Sequence, residues 1–332
     1  MRKPLFKNLI QVGIVVGNLQ KTMENYAYNY GVRPWYVLKF GPHNVIEMQS
    51  NGKSKDYSMN IGVCPIGNVR FELIEPLDKS IYSEYYQKYG EGIIHHLKLE
   101  VDNPEEALTY LQSYGIDVLQ VGHQLGKNKS GKNIFNYLST ENYLGFITEI
   151  VNVTSDFIKP NPDYWFAEHG HNRHNNKLLP EPIFKKPTQV GIVTKNLKKM
   201  IKDYSEIFGI KPWHIKNYNS KNLSDMRVHG KKKNYSMKIA FSKVGNVMFK
   251  LIEPTSDSIY TEFHKKYGEG IIHDLKMEVK NYKKSLELFK SIKIKTIQSG
   301  NYLGKIGYSY LDTSRDINFI TEIADSSANC FI

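Results

Sequence analysis

Val69 to Val101 reads VRFELIEPLDKSIYSEYYQKYGEGIIHHLKLEV, and Val247 to Val279 reads VMFKLIEPTSDSIYTEFHKKYGEGIIHDLKMEV. The register between the two stretches is constant: Gly67 with Gly245, Glu75 with Glu253 and Gly92 with Gly270 give 245 − 67 = 253 − 75 = 270 − 92 = 178 residues. The chain is therefore a tandem duplication. Its copies differ where side chains could carry chemistry, since Glu72 corresponds to Lys250 and His96 to Asp274.

Outward from that stretch, β-branched runs alternate with helical spacing. Ile10 to Val16 reads as a strand, and Leu19, Met23, Tyr26 and Tyr30 recur at helical intervals up to a closing Gly31. Strand-like runs follow at Trp35 to Phe40, Tyr57 to Val63 and Val69 to Glu75, separated by polar or glycine-containing turns. That order is one β-α-β-β-β unit. A second unit has a strand at Ile94 to Val101, a helix from Pro104 to about Tyr114, and strands near Val118 to Val121, Ile134 to Leu138 and Phe146 to Val151. Pro104 is tolerated in a first helical turn, and Glu105 and Glu106 are favoured there by the helix dipole.

The second copy repeats the plan, with Val190 to Thr194, Leu197 to Phe208 and Lys211-Pro212-Trp213 in place of Arg33-Pro34-Trp35. Near the end the offset shortens to 322 − 149 = 173, so five residues are lost from the loops before the last strand. The expected fold is α+β, four β-α-β-β-β modules in two tandem domains, 1–152 and 188–332, joined by a linker at 153–187. The linker region carries four prolines before Pro187 and three histidines, His169, His171 and His174, whose spacing fits no metal motif. It is expected to be solvated.

Length and composition bound the function. A chain of 332 residues, 40% hydrophobic and 23% charged, has enough apolar material for two cores. The formal net charge is +12, but the lysines are scattered in pairs such as Lys198-Lys199 and Lys265-Lys266, with one triplet at Lys231 to Lys233. No zinc-finger, recognition-helix or RNA-reading motif accompanies them, which argues against a nucleic-acid partner. An anionic small molecule would still be drawn to such a field. Two cysteines, Cys64 and Cys330, fit a reducing compartment without a disulfide scaffold. The N-terminal basic residues before an apolar run imitate a signal peptide, yet QVGIV recurs at Gln189 to Val193 and is better read as a strand. No apolar run approaches the roughly 20 residues of a membrane span. A cytoplasmic protein with no membrane partner is expected, and monomer and homodimer are both compatible with the sequence.

Paired β-α-β-β-β modules with QVGIV near the start, FELIEP closing the first, GEGIIHHLKLEV opening the second and GFITEIV closing it resemble the vicinal oxygen chelate superfamily. Within it, ELIEP followed by GIIHH looks most like methylmalonyl-CoA epimerase. The resemblance covers nearly all the chain outside the linker. It implies two halves, each curled into an incomplete barrel around a cavity. It also implies one metal ion held by one side chain from the first and last strand of each module. Carried onto this chain, those positions are Gln11, Glu72, His96 and Glu149. Strand alternation agrees, because Gln11, Gly13 and Val15 share one face while Val12, Ile14 and Val16 share the other.

Gln11 departs from the epimerases, which have histidine there, but glutamine, glutamate, histidine, glutamate in that strand order is the set of eukaryotic glyoxalase I. One imidazole with oxygen donors is compatible with a single divalent ion of zinc, nickel, cobalt, manganese or iron. The second copy offers Gln189, Lys250, Asp274 and Glu322, a degenerate set in which an ammonium replaces a ligand. The implied activity is isomerase or lyase chemistry by proton transfer on a small carbonyl compound, an acyl-CoA being one candidate. Glu149 or Glu72 would be the base. Lys98 and Tyr57 are candidate substrate-binding residues, and the loop Leu125 to Asn133 could flap over the cavity. A metal-free small-molecule-binding protein or pseudoenzyme of the same fold is the alternative reading. Ring-cleaving and 2-oxo-acid dioxygenases share the four-module length but use two histidines and one carboxylate on iron, and neither half places two histidines at ligand positions.

Overall fold

The computed structural model describes residues 3–167, 179 and 181–325. His169, His171, His174 and Cys330 lie outside the described residues. The N-terminal half comprises β1 (Leu9–Val15), α1 (Leu19–Tyr30), β2 (Trp35–Phe40), β3 (Val45–Ser50), β4 (Lys53–Ser54), β5 (Met59–Ile66), β6 (Val69–Pro76), α2 (Ile81–Tyr89), β7 (Ile94–Leu99), α3 (Pro104–Gln112), β8 (Val118–Leu125), β9 (Lys132–Leu138), α4 (Glu141–Leu144), β10 (Ile147–Val153) and β11 (Tyr164–Phe166). The C-terminal half follows with β12 (Phe184–Val193), α5 (Leu197–Glu206), β13 (His214–Tyr218), β14 (Leu223–Val228), β15 (Lys231–Lys232), β16 (Met237–Val244), β17 (Val247–Pro254), α6 (Ile259–Tyr267), β18 (Ile272–Val279), α7 (Tyr282–Ser291), β19 (Thr296–Tyr302), β20 (Ile306–Leu311), α8 (Ser314–Ile317) and β21 (Ile320–Ala324).

Local chemistry sets the helix ends. The Asn18 side chain accepts from Lys21 N at the start of α1, and Gly31 closes the helix with φ 69°, a left-handed conformation that costs glycine nothing. Asn103 caps α3 with Pro104 in its first turn, as the sequence suggested.

Each half is one curled sheet. The first runs β11-β2-β5-β6-β1-β7-β10-β9-β8-β3-β4 and the second β13-β16-β17-β12-β18-β21-β20-β19-β14-β15. In both, the first strand of one module pairs antiparallel with the first strand of the next, β1 with β7 and β12 with β18. This brings the four strands named in the sequence reading side by side as β6-β1-β7-β10.

Several elements went unforeseen. The β3–β4 hairpin stands between Phe40 and Tyr57 and α2 between Glu75 and Ile94, where the sequence reading has only connections, and the stretch expected as linker supplies β11 and the start of β12. β11 is hydrogen-bonded along the outer edge of β2, Tyr164 opposite Val37 and Phe166 opposite Trp35.

The alternating faces of the sheets divide the apolar residues. The convex faces, through Val12, Ile14, Phe71, Leu97, Val190, Phe249 and Leu275, join the helices in one core that spans both halves. The concave faces line separate interiors, with Val15, Met59, Phe135 and Tyr137 in the first half and Val193, Met237, Tyr308 and Tyr310 in the second. The shared core has two-fold pseudosymmetry. Phe71 packs on Phe319 and Phe146 on Phe249. Tyr26 Oη donates to Ile317 O at 2.8 Å and Tyr204 Oη to Leu144 O at 2.6 Å. Leu5 N donates to Phe208 O, and Ile183 N to Tyr30 O.

Candidate metal centre

The floor of the first concave face is built by register. Gly13 lies opposite His96 on β7 and beside Glu72 on β6, Gln11 lies opposite Lys98, and Lys98 is level with Glu149 on β10. Gly13 matters because a β-carbon there would fall within the imidazole of His96, so only glycine leaves room for the ring. Glu72, His96 and Glu149 consequently present donor atoms that all lie within 4.8 Å of one another. His96 Nε2 is 3.2 Å from Glu149 Oε2 and 3.7 Å from Glu72 Oε2. Donors about 2.1 Å from one ion stand about 3.0–3.5 Å apart, so this spacing suits a shared cation. Gln11, His96 and Glu149 are buried.

The hydrogen bonding tests the fit. Gln11 Nε2, His96 Nε2 and Glu149 Oε2 are buried with no hydrogen-bond partner among the described residues. Leaving three such atoms unmet on one floor is costly unless something joins them. His96 Nδ1 sits 2.9 Å from His95 Nδ1. Burial, then the neighbouring His96, holds the His95 imidazole well below its ordinary range and so neutral. A neutral His95 can accept the Nδ1–H of His96, which leaves the His96 Nε2 lone pair facing the two carboxylates. The donor set fits a divalent cation held by Gln11, Glu72, His96 and Glu149.

The two carboxylates differ. Burial would push Glu149 up, but Lys98, whose Nζ is 3.0 Å from Glu149 Oε1, pulls the other way and the group is held at about 2. Burial first, and then the charge of Glu149, pushes Glu72 up. Glu72 makes no hydrogen bond to a described residue and keeps 12% of its side chain exposed toward the cavity.

Above this floor lies a cavity of about 200 Å³. Its walls are apolar side chains from alternate positions of the surrounding strands, among them Leu38, Ile61, Phe135 and Val151, with Arg70, Lys98 and Lys159 as its cations. Phe157 and Lys159, from the stretch expected as linker, reach the mouth, where Lys159 Nζ stands 4.0 Å from the centre of the Tyr36 ring. The expected flap is tied to that stretch: Lys127 N donates to Ile158 O at 2.7 Å, and Ser130 Oγ to Asp156 O at 2.9 Å. Tyr57 corrects an expectation. It does not line the cavity, and its hydroxyl donates to Val121 O at 2.8 Å from a buried position. Arg70, Tyr137 and the linker residues were missed. Arg70 could have been found two positions before Glu72 on the same strand face, whereas the linker carried no periodicity.

In the second half, Lys250 Nζ lies 3.1 Å from Asp274 Oδ2 and 2.9 Å from Tyr310 Oη, and it also donates to Glu322 Oε2. His273 Nδ1 is 2.7 Å from Asp274 Oδ1. Burial works against the Lys250 charge, but Asp274 and Glu322 overcome it and raise its pKa, and Lys250 in turn helps hold Asp274 at about 2.

Against this geometry, the sequence profile described as "Glyoxalase/Bleomycin resistance protein/Dioxygenase superfamily" matches residues 10–135 and 188–310. The chain belongs to that superfamily. Among solved structures, a triple mutant of 4-hydroxymandelate synthase from Streptomyces coelicolor is similar over 99% of this chain and 95% of its own, with a TM-score of 0.60 at 13% identity. At that identity the likeness speaks to the superfamily fold across all four modules. A hypothetical protein from Bacillus halodurans covers 44% of this chain and 98% of its own at 20% identity and TM-score 0.32. Methylmalonyl-CoA epimerase, in complex with methylmalonyl-CoA and NH4+, covers 44% of this chain and 96% of its own at 17% identity and TM-score 0.35. A comparison with curated protein sequences finds no match. No described helix is long and apolar enough to cross a membrane.

Proposed function

We propose that the N-terminal half is a divalent-metal-dependent isomerase or lyase that moves a proton beside the carbonyl of a small anionic compound. The observation that supports it is the group of unpartnered buried atoms on Gln11, His96 and Glu149, converging with Glu72 at the floor of a cavity. When bound there, a divalent ion would supply electrophilic stabilisation of the negative charge that develops on the carbonyl oxygen.

The remaining work falls to the chain's own groups. Glu72 is the base, since its carboxylate faces the cavity without a hydrogen bond to a described residue, whereas Glu149 is held by Lys98. Arg70 and Lys159 bind the substrate's anionic group at the mouth, and the apolar walls exclude water from the reacting carbon. A cavity of about 200 Å³ is smaller than the roughly 300–1,000 Å³ of drug-sized ligand sites, so a thioester would insert only its acyl end. Dioxygenase chemistry lacks its second histidine here, because the His95 ring packs against Tyr82 and Tyr85. The metal-free binding reading draws on the Lys98–Glu149 ion pair, which already neutralises one carboxylate.

Metal analysis of protein purified without chelator separates these readings. The metal enzyme predicts one divalent ion per chain, lost in His96→Ala, with deuterium from solvent entering beside the carbonyl of a turned-over substrate. Glu72→Gln should lose that exchange by more than it loses metal. No ion in the wild type after reconstitution would overturn the proposal.

A further inference from the structure

The C-terminal half keeps the frame of the candidate centre around a cation of its own. Gln189, Lys250, Asp274 and Glu322 stand on β12, β17, β18 and β21, the counterparts of β1, β6, β7 and β10. Gly191 leaves space for the Asp274 carboxylate as Gly13 does for His96. The Lys250 ammonium touches three oxygens, from Asp274, Glu322 and Tyr310, and the three charged side chains are each no more than 1% exposed. Three donors on one ammonium match three acceptors, so it is satisfied as a small bound cation would be.

Formal charge carries the comparison further. Gln11, Glu72, His96 and Glu149 offer two carboxylates, −2 in all, and the Lys98 ammonium beside Glu149 offsets one of them before any ion is bound. Gln189, Lys250, Asp274 and Glu322 sum to −1 with the cation already included. Replacing Lys250 with the glutamate found at this place in the first half gives −3 and four oxygen donors, a hard set suited to manganese.

We propose that Lys250 is the resident cation of the C-terminal half, its ammonium filling the position where a metal ion would sit, so that this half assembles without metal. Exchanging Lys250 for glutamate then opens a second, all-oxygen metal site from Gln189, Asp274, Glu322 and the introduced carboxylate. The equivalence of positions rests on the reading of the first half as a metal centre.

The test uses the full chain as wild type, Lys250→Glu, and the double variant His96→Ala with Lys250→Glu, each refolded with Mn2+ present and counted by mass spectrometry and electron paramagnetic resonance. The expected ratios are one, two and one ion per chain. One ion in both wild type and Lys250→Glu would overturn the inference and leave the first-half centre standing. No ion in wild type with one in Lys250→Glu would overturn the first-half reading and uphold this one. Two ions in wild type would show that Lys250 does not exclude metal, and overturn it. Lys250→Gln guards against a folding failure: Mn2+ should raise its melting temperature more than that of wild type, and no added gain would count against the proposal.

Discussion

Gly13→Ala tests the candidate centre without touching a ligand. A β-carbon on Gly13 would lie only 1.9 Å from His96 Cε1 and 2.2 Å from Nε2, whereas ordinary contacts begin at 3.4 Å. The ring must therefore retreat by about 3.4 − 1.9 = 1.5 Å. It has little space to do so, since Tyr137 closes on it with ring centres 4.8 Å apart and His95 stands at 5.2 Å. Forcing such a move in a packed interior costs about 1–3 kcal/mol of stability. Metal coordination tolerates only about 0.2 Å, so a displacement of that size removes the imidazole from the ligand set. Disturbing an outer partner of a ligand already weakens binding about 10–100-fold, and losing the ligand should exceed about 100-fold. The assay is competition with a chromogenic chelator, alongside thermal unfolding of the chelated protein. Gly191→Ala is the control: it drives a β-carbon into Asp274 and should lower stability while leaving first-half metal affinity intact. Metal affinity in Gly13→Ala within a few-fold of wild type would refute His96 as a ligand.

Other perturbations give equally direct outcomes. Lys250→Met leaves Asp274 and Glu322 buried without their cation and should cost about 3–5 kcal/mol in denaturant unfolding, whereas an unchanged midpoint would show that the ion pair contributes little. Glu149 and Asp274 are both held at about 2, below their ordinary values of 4.5 and 3.8, so each adds stability that is complete above about pH 5 and lost as pH falls through 2. Each contributes roughly 2–4 kcal/mol, Glu149 the more, and a stability profile of the chelated protein that stays flat from pH 5 to 2 would contradict both. Phe249→Ala, which removes a ring stacked on Phe146 across the halves, should cost about 3–5 kcal/mol and keep a single transition, while separate melting of one half would argue against the shared core.

The repeat made much of this legible. A constant offset of 178 residues carries the strand order of one half onto the other, and period-two alternation already put Gln11 and Gly13 on one face. Bringing Glu72, His96 and Glu149 together required the pairing of β1 with both β6 and β7, which periodicity within a strand does not contain. The β3–β4 hairpin had a signal in Asn51-Gly52, but a bulge near Glu47, with φ 52°, interrupts its alternation. β11 has only three residues and owes its form to the free edge of β2, a tertiary cause with no local pattern. Tyr57 misled because the run Tyr57 to Val63 reads as one strand, whereas β5 begins at Met59 and Tyr57, just before it, turns its hydroxyl to the Val121 carbonyl.

The pseudosymmetric core bears on how the two halves came to differ. Either half alone would expose the convex face that now carries Phe71 and Phe146, and would have to cover it with a second copy of itself. In such a pair every mutation appears twice, so an ammonium at the glutamate position would silence both centres at once. Joining the copies in one chain removes that constraint: a lysine can stand at the glutamate position in one half while the other half keeps its carboxylate, and the altered half still supplies the surface against which the first half folds.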